Sequence, residues 1–327
     1  MKQSINLGIF HVFFSIGIFV LGNSALAQDS GYPSRAIRII IPTAPGGAMD
    51  GTARLIAEKL TDAWKQPVIV DNRAGGNGAI AYGAVAKSQP DGYTIGMTLS
   101  SLVQTILLSK SPPYNLSELA PVALVAMLPN GFAVGANVPA TNMQQYIEWA
   151  RKQPAGVDYG TAGAGSSGNI MGGTLAKAAG IGMVHIPFKG EAPAIQAMLG
   201  GDLKAMFGAT GSLAAQAQSG KMRLIAVALP NRLRDFPDVP TFAEVGYPAV
   251  NLPGWSMTIT PSATPRTIQA KLSAEISRIV RLPDVSARIL GYGFQPEGGT
   301  PEAAKKFLDD ELLRWGTAIK ASGVVIE

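Results

Sequence analysis

The chain has no cysteine and only two histidines among its 327 residues. Without cysteine it cannot form a disulfide, a lipid-modified cysteine, a thiolate metal site or a thiol nucleophile. His185 is the one histidine beyond residue 27, so a metal site of the His or Cys kind is excluded by count. It lies within an apolar run that predicts a strand, where we expect a half-buried structural imidazole rather than a general base.

Catalytic motifs are equally scarce. The sequence holds neither the G-x-S-x-G elbow of α/β-hydrolases nor the G-x-x-x-x-G-K-[ST] loop of nucleotide-binding proteins. Gly163 to Gly168 matches G-x-G-x-x-G, and Glu191 follows the next strand, but such a match arises easily in a chain with 38 glycines. The sequence therefore predicts no catalysis, no cofactor and no metal. An exported α/β oxidoreductase or esterase remains the alternative.

Charged residues make up only 15% of the chain, and 27 Lys and Arg stand against 22 Asp and Glu. The basic residues are scattered singly or in pairs, without interleaved aromatics, so we expect no nucleic-acid partner. The acidic run Asp309 to Glu311 is predicted to lie on an exposed helix face. We also expect the protein to be a monomer.

Residues 1–27 differ from the rest of the chain. Lys2 precedes an apolar stretch from Ile5 to Leu21, and Ala25 to Ala27 has the small-x-small form of a cleavage signal. This pattern predicts a secretory signal peptide that is cleaved near Ala27, and hence a periplasmic protein. An uncleaved membrane anchor is the alternative interpretation.

Apolar, β-branched runs alternate with segments of helical period. Runs with strand character cover residues 36–41, 67–70, 93–98, 122–128, 132–138, 157–159, 183–188, 203–207 and 224–229. This order predicts an α/β fold with mainly parallel sheets flanked by helices. Near the C-terminus, Thr264 and Thr300 each precede a proline and are predicted to cap covering helices.

Two stretches suggest that the chain crosses between two lobes. One lies near residues 128–131 and the other in the proline-rich segment 237–253. They predict a discontinuous first lobe of residues 28–129 and 254–327, with a last strand near Trp255, and a second lobe of residues 130–253. Paired crossings are what a hinge requires.

Two glycine-rich turns lie more than a hundred residues apart, at residues 42–50 and 159–168, each between a predicted strand and a predicted helix. Such turns direct unpaired backbone N–H groups at negative charge. Together they predict a clamp for an anion. The turn at residues 71–78 and the hydroxyls of Ser100 and Ser101 are expected at the same edge.

Taken together, these segments resemble the substrate-binding proteins of tripartite tricarboxylate transporters, the Bug family. The resemblance rests on the segments 32–50, 71–76, 90–94, 159–163, 186–190, 220–227 and 237–241. It implies a two-lobed type II periplasmic-binding-protein fold, the Venus flytrap, which closes on a small organic carboxylate. It also implies that the ligand is delivered to membrane permease subunits or, in some members, to signalling partners.

The resemblance also implies which residues touch the ligand. In the first lobe they are Thr43, Ala44, Gly46 and Gly47. In the second lobe they are Thr161, Ala162, Gly163, Ser166 and Ser167. We add Asn72, Ser100 and Ser101 from the neighbouring strand ends, and Gly208 from the second lobe.

The sequence departs from the family pattern at three positions. Asn169 stands where a His is frequent, Gly173 where a Glu is frequent, and Gly208 where an Asp is common. Because that Asp can recognise a ligand's amino group, we expect that an amino-acid zwitterion is not the ligand. The glycines at 173 and 208 are expected to enlarge the pocket for an aromatic or longer carboxylate.

Overall fold

The fold is built on two β-sheets, seen in a computed structural model that describes residues 31–324. The first sheet contains β1 (Ile37–Ile41), β2 (Val68–Asn72), β3 (Thr94–Leu99), β4 (Leu119–Leu128), β10 (Gly254–Pro261) and β11 (Gln295–Pro296). The second sheet contains β5 (Asn130–Gly135), β6 (Val157–Thr161), β7 (Met183–Pro187), β8 (Ala205–Ala209) and β9 (Met222–Ala228). The predicted signal peptide and its cleavage site lie outside the described residues.

The two sheets are mixed, which corrects the expectation of mainly parallel sheets. Parallel pairing joins β1 to β2 and β3, and β6 to β7 and β8. In contrast, β10 runs antiparallel to β3 and β4, and β5 runs antiparallel to β8 and β9. These reversed strands are the ones by which the chain enters the second sheet and returns to the first. The crossings therefore set the strand direction.

Helices cover both sheets. They are α1 (Ala48–Trp64), α2 (Ala79–Ala86), α3 (Ser101–Leu108), α4 (Met143–Ala150), α5 (Ser167–Ala179), α6 (Glu191–Gly200), α7 (Thr210–Gln218), α8 (Arg266–Val280), α9 (Pro283–Gly291) and α10 (Pro301–Ser322). Thr300 caps α10 as predicted, since its side chain accepts a hydrogen bond from the Ala303 amide. Thr264 does not cap α8, which begins at Arg266. Among residues 31–324, no helix has the length and apolar character needed to cross a bilayer.

The core lies in layers on the faces of the sheets. Ile39, Ile56 and Ile276 belong to the cluster between the first sheet and α1, α8 and α9. Met198 and Leu213 belong to a smaller cluster under α6 and α7. The largest cluster includes elements of both sheets and is covered by α10, which packs on α3, α5 and β4. One helix thus covers parts of both halves of the chain.

One acid of α10 is buried, which corrects the expectation of an exposed acidic run. Asp309 and Asp310 are exposed and pair with lysines one turn earlier, but Glu311 is fully buried. Its Oε2 accepts hydrogen bonds from the indole Nε1 atoms of Trp255 at 2.9 Å and Trp315 at 3.0 Å. The i, i+4 spacing of Glu311 and Trp315 places both on the buried face of α10.

Candidate functional site

A cavity of about 270 Å³ is lined by residues from the edges of both sheets. Six residues that the sequence singled out contribute to its lining: Ser100, Ser101, Ala162, Ser166, Ser167 and Gly208. The first two follow β3 of the first sheet, and the other four belong to the second-sheet half of the chain. The second glycine-rich turn and the strand ends of both sheets therefore meet in one cleft, as the alternating α/β order predicts.

The starts of several helices converge on this cleft. Its lining includes the first residues of α3, α5 and α6, the residue before α7, and Met49 at the start of α1. The first amides of a helix lack intrahelical acceptors, and the helix dipole places partial positive charge there. No Lys, Arg or His is among the lining residues. The cleft can therefore attract an anion through backbone dipoles alone.

Two seryl hydroxyls on opposite sides of the cleft share one amide donor. The Gln104 Nε2 atom donates to Ser167 Oγ at 2.9 Å and to Ser100 Oγ at 3.4 Å. Because each serine oxygen accepts from Gln104, its own hydroxyl hydrogen stays available for a ligand. Gln104 was not predicted, although it lies one helical turn after Ser100 and is 1% exposed.

A third hydroxyl of the cleft, that of Ser101, is hydrogen-bonded to a buried tyrosine. The Leu99 amide donates to the Tyr82 hydroxyl oxygen at 3.2 Å, and this oxygen lies 2.7 Å from Ser101 Oγ. Burial raises the pKa of Tyr82 to about 12, so the phenol stays protonated at neutral pH, and either hydroxyl of the pair can donate to the other. With Tyr82 as the donor, the hydroxyl hydrogen of Ser101 can face an anion.

The hydroxyls of the second glycine-rich turn mainly hold the turn itself. Ser166 donates to the Gly163 carbonyl at 2.7 Å and caps α5 by accepting from the Asn169 amide. Thr161 is fully buried; its hydroxyl donates to the Gly163 carbonyl at 3.0 Å and lies 2.7 Å from His185 Nε2. His185 is half-buried as expected, and burial lowers its pKa. Thr161 and Gly163 thus lie behind the lining rather than in it.

The first glycine-rich turn is organised around a buried acid. The Gly46 amide donates to Asp50 Oδ2 at 3.0 Å, and Asn72 Nδ2 donates to Asp50 Oδ1 at 2.9 Å and to the Thr43 carbonyl at 3.0 Å. Hydrogen bonding to Arg54 lowers the pKa of Asp50 to about 2, so it is ionised at neutral pH. Asn72 therefore braces the turn, and Asp50 is a feature that the sequence analysis missed.

The predicted residues of this first turn do not line the 270 Å³ cleft. Gly46 and Gly47 line a separate opening of about 350 Å³, together with Gly211 and Ser212 from the second-sheet half. Ala44 is exposed and lines neither. Of the residues predicted to touch the ligand in the two turns, only those of the second line the cleft that holds the three serines.

Comparison of the chain with known proteins identifies its family. The family model described as "Tripartite tricarboxylate transporter family receptor" matches residues 52–324. The chain belongs to this family. The protein BugT of Bordetella pertussis is 32% identical to the receptor over 317 residues, which cover 95% of this chain and 97% of BugT. The resemblance noted in the sequence is therefore confirmed.

Solved structures confirm the two-lobed binding-protein fold of the receptor. The periplasmic binding protein BugD is 29% identical, with a TM-score of 0.78, over 90% of this chain and 100% of BugD. A Rhodopseudomonas palustris protein with adipate is 27% identical, with a TM-score of 0.81, over 90% of this chain and 99% of that protein. MatC from the same species, with bound malate, is 27% identical, with a TM-score of 0.76, over 88% of this chain and 100% of MatC.

The space beside Gly208 is filled, which corrects the expectation that this glycine enlarges the pocket. A Cβ atom at position 208 would lie 3.1 Å from Glu191 Oε1 and 3.3 Å from its carboxyl carbon. The Glu191 carboxyl group therefore occupies the volume next to Gly208. The exclusion of amino-acid ligands assumed that the receptor has no acid at this point, and that assumption is wrong.

Gly173 has a packing role instead of lining the cleft. A Cβ atom there would lie 3.0 Å from the Ser322 carbonyl oxygen at the end of α10. The missing side chain allows α5 and α10 of the receptor to approach closely. Asn169 is buried and accepts from the Gly165 amide at 3.0 Å, so it stabilises the second turn. Neither departure from the family pattern enlarges the pocket.

Proposed function

We propose that the protein is a periplasmic solute-binding receptor that captures a small organic carboxylate for the permease of a tripartite tricarboxylate-type transporter. The observation that carries this proposal is the set of three hydroxyls at Ser100, Ser101 and Ser167. Ser100 and Ser167 accept from Gln104, Ser101 shares a hydrogen bond with Tyr82, and all three hydroxyls can donate to a ligand carboxylate. Related proteins whose structures contain adipate or malate support the carboxylate class.

The expected affinity follows from the number of donors. A hydrogen bond to a charged group contributes about 1.5–3 kcal/mol net, and a helix start adds about 0.3–2 kcal/mol. Three hydroxyls and the adjacent helix starts can therefore supply the roughly 8 kcal/mol that corresponds to micromolar binding. No arginine is needed for this.

The ligand would be held by closure of two lobes, which we assign to residues 28–129 with 254–327 and to residues 130–253. The hydrogen bond from Gln104 to Ser167 joins α3 of the first to α5 of the second across the cleft. A ligand that contacts Ser100 and Ser167 at once binds both lobes only when they are closed. Binding would therefore shift the population toward the closed form.

We further propose that the receptor acts without catalysis, cofactor or metal and as a monomer. Its cleft lining offers Glu191 as the one titratable side chain, with no base or nucleophile pair beside it. A signalling partner without a transport role is a second candidate function, because the same fold can serve it. Deleting the permease genes separates the two, since only the transport role loses ligand uptake.

Ser167→Ala is expected to weaken carboxylate binding about 5- to 150-fold, because one donor to a desolvated anion is lost. Calorimetric titration of wild type and variant with a panel of aliphatic and aromatic carboxylates measures the change. Ser219→Ala is the matched control, since Ser219 is exposed at the end of α7. Unchanged affinity in the Ser167 variant, or no binding of any carboxylate to wild type, would overturn the proposal.

A further inference from the structure

Glu191 is an acid inside the cleft that the proposed function does not use. It is the first residue of α6 and lies in the same lining as Ser100, Ser167 and Gly208. Its Oε1 accepts a hydrogen bond from the Ala209 amide. The side chain is therefore bound to the segment where α7 begins.

In this position the Glu191 carboxyl group resembles a bound anion. The amide before the first turn of a helix is a donor that a ligand carboxylate would otherwise find. In this chain the Ala209 amide is already taken by Glu191. The volume beside Gly208 is filled by the same carboxyl group. The Ala209 amide and the volume beside Gly208 are therefore not available to a second anion.

The structure shows no ion-pair partner for Glu191 among residues 31–324. Burial raises the pKa of Glu191, whereas the hydrogen bonds from Ala209 and Ser212 act in the opposite direction. The carboxyl group occupies the Ala209 amide, and when ionised it also repels a second negative charge.

We propose that the receptor selects monocarboxylates, with Glu191 standing in the position that the second carboxylate of a dicarboxylate would need. This inference rests on the proposed function. One ligand carboxylate binds at the starts of α3 and α5 through Ser100, Ser101 and Ser167. The far end of the ligand points toward Glu191 and is therefore neutral, or bears a hydrogen-bond donor that the acid accepts.

The test is calorimetric titration at about pH 8, where the carboxylic acids of the panel are ionised, with pairs of acids of equal carbon number. Suitable pairs are butanoate and succinate, pentanoate and glutarate, hexanoate and adipate, and benzoate and terephthalate. For the best-fitting pair, wild type is expected to bind the monocarboxylate about tenfold or more tightly than the dicarboxylate. Glu191→Ala is expected to reduce this ratio at least about fivefold, mainly by strengthening dicarboxylate binding.

Two further variants separate the causes. Glu191→Gln removes the charge but keeps an oxygen for the Ala209 amide, so its ratio should lie between those of wild type and Glu191→Ala. Glu148→Ala, at an exposed position of α4, should leave the ratio unchanged. Because the wild-type ratio is itself a result, the inference remains testable if the Glu191 variants fold poorly.

Dicarboxylates that bind wild type as tightly as their partners would overturn this inference and leave the proposed function standing. A ratio that does not change in Glu191→Ala would overturn it in the same way. Absence of binding for every acid of the panel would instead overturn the proposed function, and this inference with it.

Discussion

Glu311→Ala is expected to lower the free energy of unfolding by about 2–5 kcal/mol, because two buried indole donors lose their acceptor. Trp255 and Trp315 both donate to Glu311 Oε2 and are fully buried. Urea denaturation measures the change as a lower midpoint with an unaltered slope. Trp255 follows Gly254, which lines the cleft, so ligand affinity is expected to fall as well.

Glu311→Gln is the control, since its amide oxygen still accepts from the indoles and the loss should be smaller. Burial raises the pKa of Glu311, so the native state holds this proton more tightly than the unfolded chain. The stability that this gives is present below about pH 4.3 and is lost as the pH rises through the native pKa. As the pH rises from about 4.3 through the native pKa of Glu311, wild type should therefore lose stability relative to Glu311→Gln. Equal stability of wild type and Glu311→Ala would contradict the role of Glu311.

Gly211→Leu is expected to weaken ligand binding about 5- to 150-fold by holding the two lobes apart, which corresponds to roughly 1–3 kcal/mol of overpacking. Gly211 lies in the first turn of α7, and a Cβ atom there would be 3.1 Å from Gly293 Cα in the turn before β11. Two backbones from different halves of the chain thus touch at this point. Calorimetry measures the affinity, and small-angle scattering measures whether ligand still reduces the radius of gyration.

The matched control is Gly200→Leu at the end of α6, where an added Cβ would meet only Asp202, at 3.7 Å. This variant should bind like wild type. A thermal melt of Gly211→Leu without ligand checks that the lobes themselves remain folded. If Gly211→Leu bound ligand with wild-type affinity, the contact at Gly293 would have no part in closure.

Much of the fold could be predicted because local sequence and tertiary structure agree. Each predicted strand overlaps an observed one, and the predicted last strand near Trp255 is β10. Apolar, β-branched runs between helical segments carry this information within short windows. Strand direction could not be predicted, because it depends on where β5 and β10 insert. The two-residue strand β11 is too short for any period and exists only through its pairing with β4.

The site could be predicted in outline only. Ser100, Ser101 and Ser167 line one cleft, where strand ends and the family resemblance place them, and their contact with a ligand stays a prediction. Gln104 and Glu191 were missed as cleft residues because their partners Ser167 and Ala209 lie 63 and 18 residues away in sequence. The prediction of a larger pocket at Gly208 was wrong for the same reason, because the Glu191 side chain that fills this space comes from α6.

A crystal structure with the tightest-binding carboxylate of the panel tests the central claim most directly. The account predicts carboxylate oxygens within about 2.5–3.2 Å of Ser167 Oγ on one side and of Ser100 or Ser101 Oγ on the other. A carboxylate that touches only one of the two sides would contradict it. So would an acid bound in the cavity of about 760 Å³ between α8 and the start of α10.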